Sequence, residues 1–195
     1  MAERACERCT ERLPFTARAD ARYCSTRCRV AAHRACRRVP VALRDRGRWV
    51  RRSAKKIPMM PSGKFASSTN PTTWSTLEDA GASQRGTGLG FVLNGDGIVC
   101  LDLDHCLEDG ELAAWARPII EALPSTWIEI SPSGDGLHVW GLGDAETGRV
   151  LPVDGGKVEI YSQGRYITVT ETPWKGAPLH LADLRPAVRT LIDAG

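Results

Sequence analysis

No stretch of the 195-residue sequence approaches the roughly 20 consecutive apolar residues of a membrane helix. Nor does an apolar segment follow the start Met1-Ala2-Glu3-Arg4-Ala5-Cys6, so a secretory signal peptide is not expected and a cytoplasmic chain is. Internal repeats and low-complexity tracts are missing as well. At 42% hydrophobic and 25% charged residues, the composition excludes a disordered tail protein. The length suits one to two domains with an ordinary buried core. Acidic residues are scarce early on: residues 1–56 hold 17 Lys and Arg against 5 Asp and Glu, whereas the remainder holds 9 against 18. So polarised a chain points to a polyanion, nucleic acid by default, as partner of its basic part.

Five of the seven cysteines precede residue 37. Cys6 and Cys9 form a C-x2-C pair, and Cys24 and Cys28 a C-x3-C pair beyond a loop. Two close pairs joined by a loop suit tetrahedral zinc, and four thiolates leave no open position, so the ion would be structural. Disulfides are the competing reading, but in a cytosolic setting they are disfavoured, and adjacent pairs would staple little. Ser25 is a natural cap for a helix over 26–38 that carries Arg27, Arg29, Arg34, Arg37 and Arg38. His33 and Cys36 are alternative ligands, better read as packing or surface. The expected unit is a module over 1–40, folded by metal, pressing a basic helix on phosphates with little sequence preference.

Residues 41–195 read as an α+β domain. Strands are expected near Trp49 and Ile57. Thr72 and Thr73 would cap a short helix ended by Gly81. A hairpin of 90–93 with 98–104 would turn on Asn94-Gly95-Asp96-Gly97. Leu112, Trp115, Ala116, Ile119, Ile120 and Leu123 lie on one helical stripe, which Pro118 would kink. Further hairpins are expected for 126–130 with 137–140 and for 158–161 with 166–170, and a last helix over 182–193.

Asp102 and Asp104 stand two apart in a strand and share a face, with Val99, Leu101 and Leu103 on the core side. Two neighbouring anions call for solvent or a cation, and a pair of Mg2+ or Mn2+ ions would suit phosphoryl transfer. The run Ser131-Pro132-Ser133-Gly134-Asp135-Gly136 exposes backbone N–H groups fit for an anion, with His138 just beyond. Glu159, opposite the core face of Val158 and Ile160, would add a third carboxylate, and Arg165 a cation for a triphosphate.

In order, the strings Lys56-Ile57-Pro58, Asn70-Pro71-Thr72-Thr73-Trp74, Gly88-Leu89-Gly90-Phe91-Val92, Cys100-Leu101-Asp102-Leu103-Asp104-His105-Cys106, Glu129-Ile130-Ser131-Pro132-Ser133-Gly134-Asp135-Gly136-Leu137-His138 and Val158-Glu159-Ile160-Tyr161-Ser162-Gln163-Gly164-Arg165-Tyr166 resemble the primase-polymerase branch of the archaeo-eukaryotic primase superfamily. The branch occurs in phage, plasmid and mobile-element replication proteins. The resemblance spans about two-thirds of the chain. It implies an RRM-like catalytic core that joins NTPs or dNTPs on a single-stranded DNA template. Asp102, Asp104 and Glu159 would hold two ions, with Glu159 where many relatives carry Asp. Ser133, Gly134, Gly136, His138 and Arg165 would seat the triphosphate, and the basic helix would grip the template. The N-terminal segment resembles four-cysteine ribbons of replication proteins. Larger relatives carry a helicase domain after the primase, so a chain stopping at Gly195 is expected to act alone or with a separate helicase. Three rival readings compete: a non-catalytic zinc DNA-binding protein, a D-x-D nucleotide-sugar transferase and a metal-dependent nuclease.

Overall fold

The computed structural model describes residues 4–6, 9, 11–30 and 38–194. Short strands dominate: β1 (Trp49–Arg52), β2 (Pro58–Met59), β3 (Gly88–Asn94), β4 (Ile98–Leu103), β5 (Leu107–Glu108), β6 (Glu111–Leu112), β7 (Ile128–Ile130), β8 (Leu137–Leu142), β9 (Arg149–Val153), β10 (Gly156–Tyr161), β11 (Gln163–Val169) and β12 (Ala182–Asp183). The named helices are α1 (Val41–Arg44), α2 (Leu77–Ala82), α3 (Arg117–Glu121) and α4 (Arg185–Ala194). Among the described residues no helix is long and apolar enough to cross a membrane.

Two sheets organise the chain. The smaller runs β11-β3-β1-β2, and the larger β12-β8-β4-β10-β9, with β7 also paired to β8. Alternation along β4 divides the core. Val99, Leu101 and Leu103 pack with Val139, Val158, Ile160, Ile120 and Val188 in one cluster, beneath α3 and α4. Ile98 and Cys100 face the smaller sheet, joining Trp49, Phe91, Trp140 and Trp127 in the other. Phe91 meets Trp49 and Trp140 edge-on, with ring centroids 5.2 and 5.9 Å apart, an arrangement worth about 1 kcal/mol per pair beyond burial.

Several expected elements differ. Neither β3 with β4 nor β10 with β11 is a hairpin: after Asn94 the chain leaves the smaller sheet for the larger, and at Ser162 it passes back from β10 to β11 in the smaller one. Gly95 and Gly97, with φ of 82° and 87°, permit the first corner. Gly95 N–H donates to Ser162 O at 2.8 Å, which ties the two corners together. The helical stripe of 111–123 is helical only over Arg117–Glu121, since Pro118 in the first turn lacks the N–H that an interior position donates. Glu111–Leu112 instead pairs with Leu107–Glu108. Thr76, not Thr72 or Thr73, caps α2, its hydroxyl accepting from Asp79 N at 3.1 Å, and Gly81 lies inside the helix. Ala182–Asp183 is a parallel strand on β8, so the last helix starts at Arg185. The β7–β8 hairpin forms as expected.

Candidate functional site

Register builds the site. Glu159 pairs with Asp102 between β10 and β4, Asp102 with His138 between β4 and β8, and His138 with Glu129 between β8 and β7. Cross-strand partners share a face. Glu159, Asp102, His138 and Glu129 therefore form one polar row across four adjacent strands, on the side of the larger sheet that turns toward the smaller. Leu101, Leu103, Val139, Val158 and Ile160 fill the opposite face.

At the middle of the row, His138 Nε2 is 3.7 Å from Asp102 Oδ1 and Nδ1 is 3.4 Å from Glu129 Oε1. Burial opposes a charge on His138, but Glu129 and Asp102 outweigh it and raise the imidazole above its ordinary pKa. Burial pushes the Asp102 carboxyl up, His138 draws it back, and Asp104 and Glu159 add to the rise. Asp104 follows β4. Lys157 bridges it to Glu159, with Nζ at 3.1 Å from Asp104 Oδ2 and 2.6 Å from Glu159 Oε1. Tyr161 donates to Glu159 Oε2 at 2.5 Å and accepts from Arg165 at 2.7 Å. Although burial would raise Glu159, Lys157 and Tyr161 together lower its pKa. Glu159 thus joins Asp104 through a shared ammonium, and Arg165 reaches the row through Tyr161. Asp104 and Glu159 thus offer hard oxygen donors of the kind that suits Mg2+ or Mn2+, but with Asp102 they do not bring their ligand atoms within 4.8 Å of one another.

The turn over 131–136 sits beside Asp104. Ser131 N–H donates to Gly136 O at 2.8 Å, and Gly134 has a φ of 91°. A Cβ on Gly136 would stand 2.8 Å from both Leu103 O and Ser131 Oγ, so the turn presses on β4. Ser133 Oγ lies 2.9 Å from Ser131 Oγ and donates to Asp135, whose other oxygen is 2.6 Å from His105 Nδ1. Ser133 and then His105 hold the Asp135 carboxyl below its usual range.

Three members of the network carried no clear signal in the sequence. Glu129 is fully buried and accepts from Trp140 Nε1 at 3.2 Å, Thr170 N at 2.9 Å, Thr170 Oγ1 at 3.1 Å and Glu171 N at 3.0 Å. Only its alternation with Ile128 and Ile130 hints at this face. Lys157 and Tyr161 flank Glu159 at the same two-residue spacing.

Apart from the row, the sulfurs of Cys6, Cys9, Cys24 and Cys28 lie within 4.8 Å of one another, the one such group of ligand atoms among the described residues. Cys9 Sγ is 3.5 Å from Cys24 Sγ, which is 3.6 Å from Cys28 Sγ. Tetrahedral zinc with about 2.3 Å bonds spaces its sulfurs by roughly 3.8 Å, so the donors fit. The Glu11 backbone lowers the Cys9 thiol, but the neighbouring thiols outweigh it and push it up to about 12. Ser25 Oγ accepts from Cys28 N at 3.2 Å at the head of the helical residues 26–30, where Arg27 and Arg29 are exposed. Arg38 is exposed too, while Arg34, Arg37, His33 and Cys36 lie outside the described residues.

No family model matches the chain. A curated protein, the DNA primase-polymerase of Nitratiruptor phage NrS-1, is 40% identical over 138 residues, or 66% of this chain. The chain spans only 19% of that relative's length.

Proposed function

We propose that the chain is a template-directed nucleotidyltransferase of the DNA primase-polymerase kind, serving phage, plasmid or mobile-element replication. Its parts would be a zinc module over 1–40 and an RRM-like catalytic core over 41–195. The observation that carries this reading is the register that aligns Glu159, Asp102 and His138 across adjacent strands. The likeness to a phage DNA primase-polymerase supports the reaction class. Antiparallel β4, β8 and β10 with helices on one face support the core architecture.

Asp102, Asp104 and Glu159 would hold the two Mg2+ or Mn2+ ions, which supply charge neutralisation at the triphosphate and activation of the attacking hydroxyl. Lys157 would yield its place between Asp104 and Glu159 and remain close enough to meet phosphate charge. Ser133, the N–H groups near Gly134 and Gly136, and His138 would seat the triphosphate, with Glu129 fixing the His138 ring. Arg165, steadied on Tyr161, would reach the same phosphates. Arg27, Arg29, Arg34, Arg37 and Arg38 would grip single-stranded template DNA, and Cys6, Cys9, Cys24 and Cys28 would hold the zinc.

The test is primer-free synthesis on single-stranded DNA with labelled NTPs or dNTPs and Mn2+. The native chain should make product. The double variant Asp102→Asn with Asp104→Asn should make none while still binding DNA. Absence of product from the native chain would leave a DNA-binding role as the better reading.

A further inference from the structure

A cavity of about 600 Å³ opens beside the polar row, without including Asp102, Asp104 or Glu159 in its wall. Its size falls within the range of small-ligand sites. The N-terminal module supplies Arg38 to the wall, and the end of β1 supplies Arg51 and Arg52. Leu89, Ile130 and Val169 give an apolar floor. Ser131 and Thr170 also line it, and both touch the site network: Ser131 Oγ through Ser133, Thr170 through Glu129.

The charges in this wall are unbalanced. Among the described residues none of the three guanidinium groups forms an ion pair with a carboxylate. Arg51 is half-buried and donates only to carbonyls, those of Arg85 at 2.6 Å and Ala80 at 3.3 Å. Arg52, also half-buried, has a buried Nε with no acceptor. Two carboxylates share the wall, but Glu78 is engaged by Arg22, and Glu171 lies within the field of Arg38 without contacting it. Arg51 and Arg52, partly withdrawn from water without counter-ions, gain when an anion joins them, and the exposed Arg38 stands at the same wall. A guanidinium fork matches phosphate oxygens in pairs.

We propose that this cavity is a phosphate-binding site, in which Arg38, Arg51 and Arg52 hold a phosphate of a nucleotide or of a nucleic-acid strand between the cysteine module and the core. The reading of the chain as a nucleotidyltransferase supplies only the carrier of that phosphate. The site itself stands on the arginines and the cavity.

Binding to the zinc-loaded full chain tests this without any incorporation step, so loss of catalysis and loss of this site are read separately. The probes are a labelled single-stranded oligonucleotide, ATP and inorganic tripolyphosphate, each titrated over a salt series without added divalent ion. The variants are Arg38→Gln, Arg52→Gln and Gly81→Glu. The last places a carboxylate at the cavity wall from a helix position where a Cβ meets nothing within 4 Å. It keeps the proposal testable if Arg52→Gln disturbs folding. Arg52→Gln and Gly81→Glu should each weaken binding at least fivefold. If the strand is the carrier, the oligonucleotide shows the loss, with a salt slope shallower by about 0.7 for each phosphate contact removed. If a free nucleotide is the carrier, ATP and tripolyphosphate show it and the oligonucleotide does not. Unchanged affinity for all three probes in variants with native circular dichroism overturns the proposal.

Discussion

Glu129 and His138 face each other across the β7–β8 pairing, with Oε1 and Nδ1 3.4 Å apart, and neither is exposed. The same carboxyl group accepts from Trp140, Thr170 and Glu171. It joins the larger sheet to the segment that leaves the smaller one. Glu129→Ala would strand these donors in the interior, at a cost of about 3 kcal/mol. Glu129→Gln keeps one acceptor and should lose less. The urea midpoint, at an unchanged denaturant slope, measures both.

The turn over 131–136 has no room for a methyl group at Gly136, because a Cβ at that position would lie 2.8 Å from Leu103 O and from Ser131 Oγ. Gly136→Ala should displace the turn and raise KM for nucleotide about tenfold. Gly134→Ala meets no neighbour but must adopt a φ of 91°, a strain of about 1 kcal/mol. A thermal melt reads the second effect, and steady-state incorporation the first.

Thiol chemistry should divide the cysteines. Cys100 and Cys106 are buried, and burial pushes the Cys106 thiol up to about 12. Alkylation of the native chain at pH 8, mapped by mass spectrometry, should leave both unmodified. The zinc-loaded chain should carry one zinc, and chelation should expose Cys6, Cys9, Cys24 and Cys28 to the reagent. Reaction at those four unaffected by chelation would argue against a shared ion.

Acid should act on the start of α4. Asp183 accepts from Arg185 Nε at 2.8 Å and from Arg185 N at 3.0 Å, and these bonds hold its carboxyl down to about 2. A depressed carboxyl contributes its stability above the unfolded value of about 3.9, and loses it as pH falls through the folded value. Carboxyl carbon NMR should give a midpoint near 2 for Asp183. Arg185→Ala should return it toward the ordinary range.

Alternation made the site strands legible. Asp102, His138 and Glu159 each sit between apolar neighbours that pack together into one core cluster on the opposite face of the sheet. Connectivity was harder to read, because an Asn-Gly-Asp-Gly corner permits any sharp reversal, and the sheet joined by the next strand depends on distant partners. Residues 112–123 show the same limit: Leu112, Ala116 and Ile120 are all buried in one cluster. Their spacing reported burial, but Pro118 decided where a helix begins. Glu129 was hidden because a strand glutamate ordinarily reads as solvent-facing. Its partners come from residues 138–140 and 170–171, which no local pattern connects.

Sliding β4 by a single residue against its neighbours would turn Asp102 into the hydrocarbon layer and set Leu101 and Leu103 among the buried polar side chains of Glu129 and His138, on the face turned to the smaller sheet. The polar row thereby acts as a check on assembly: only the correctly aligned sheet brings the acids and the imidazole into line. A misaligned chain would be both unstable and inert, so activity and proper strand alignment should be gained together.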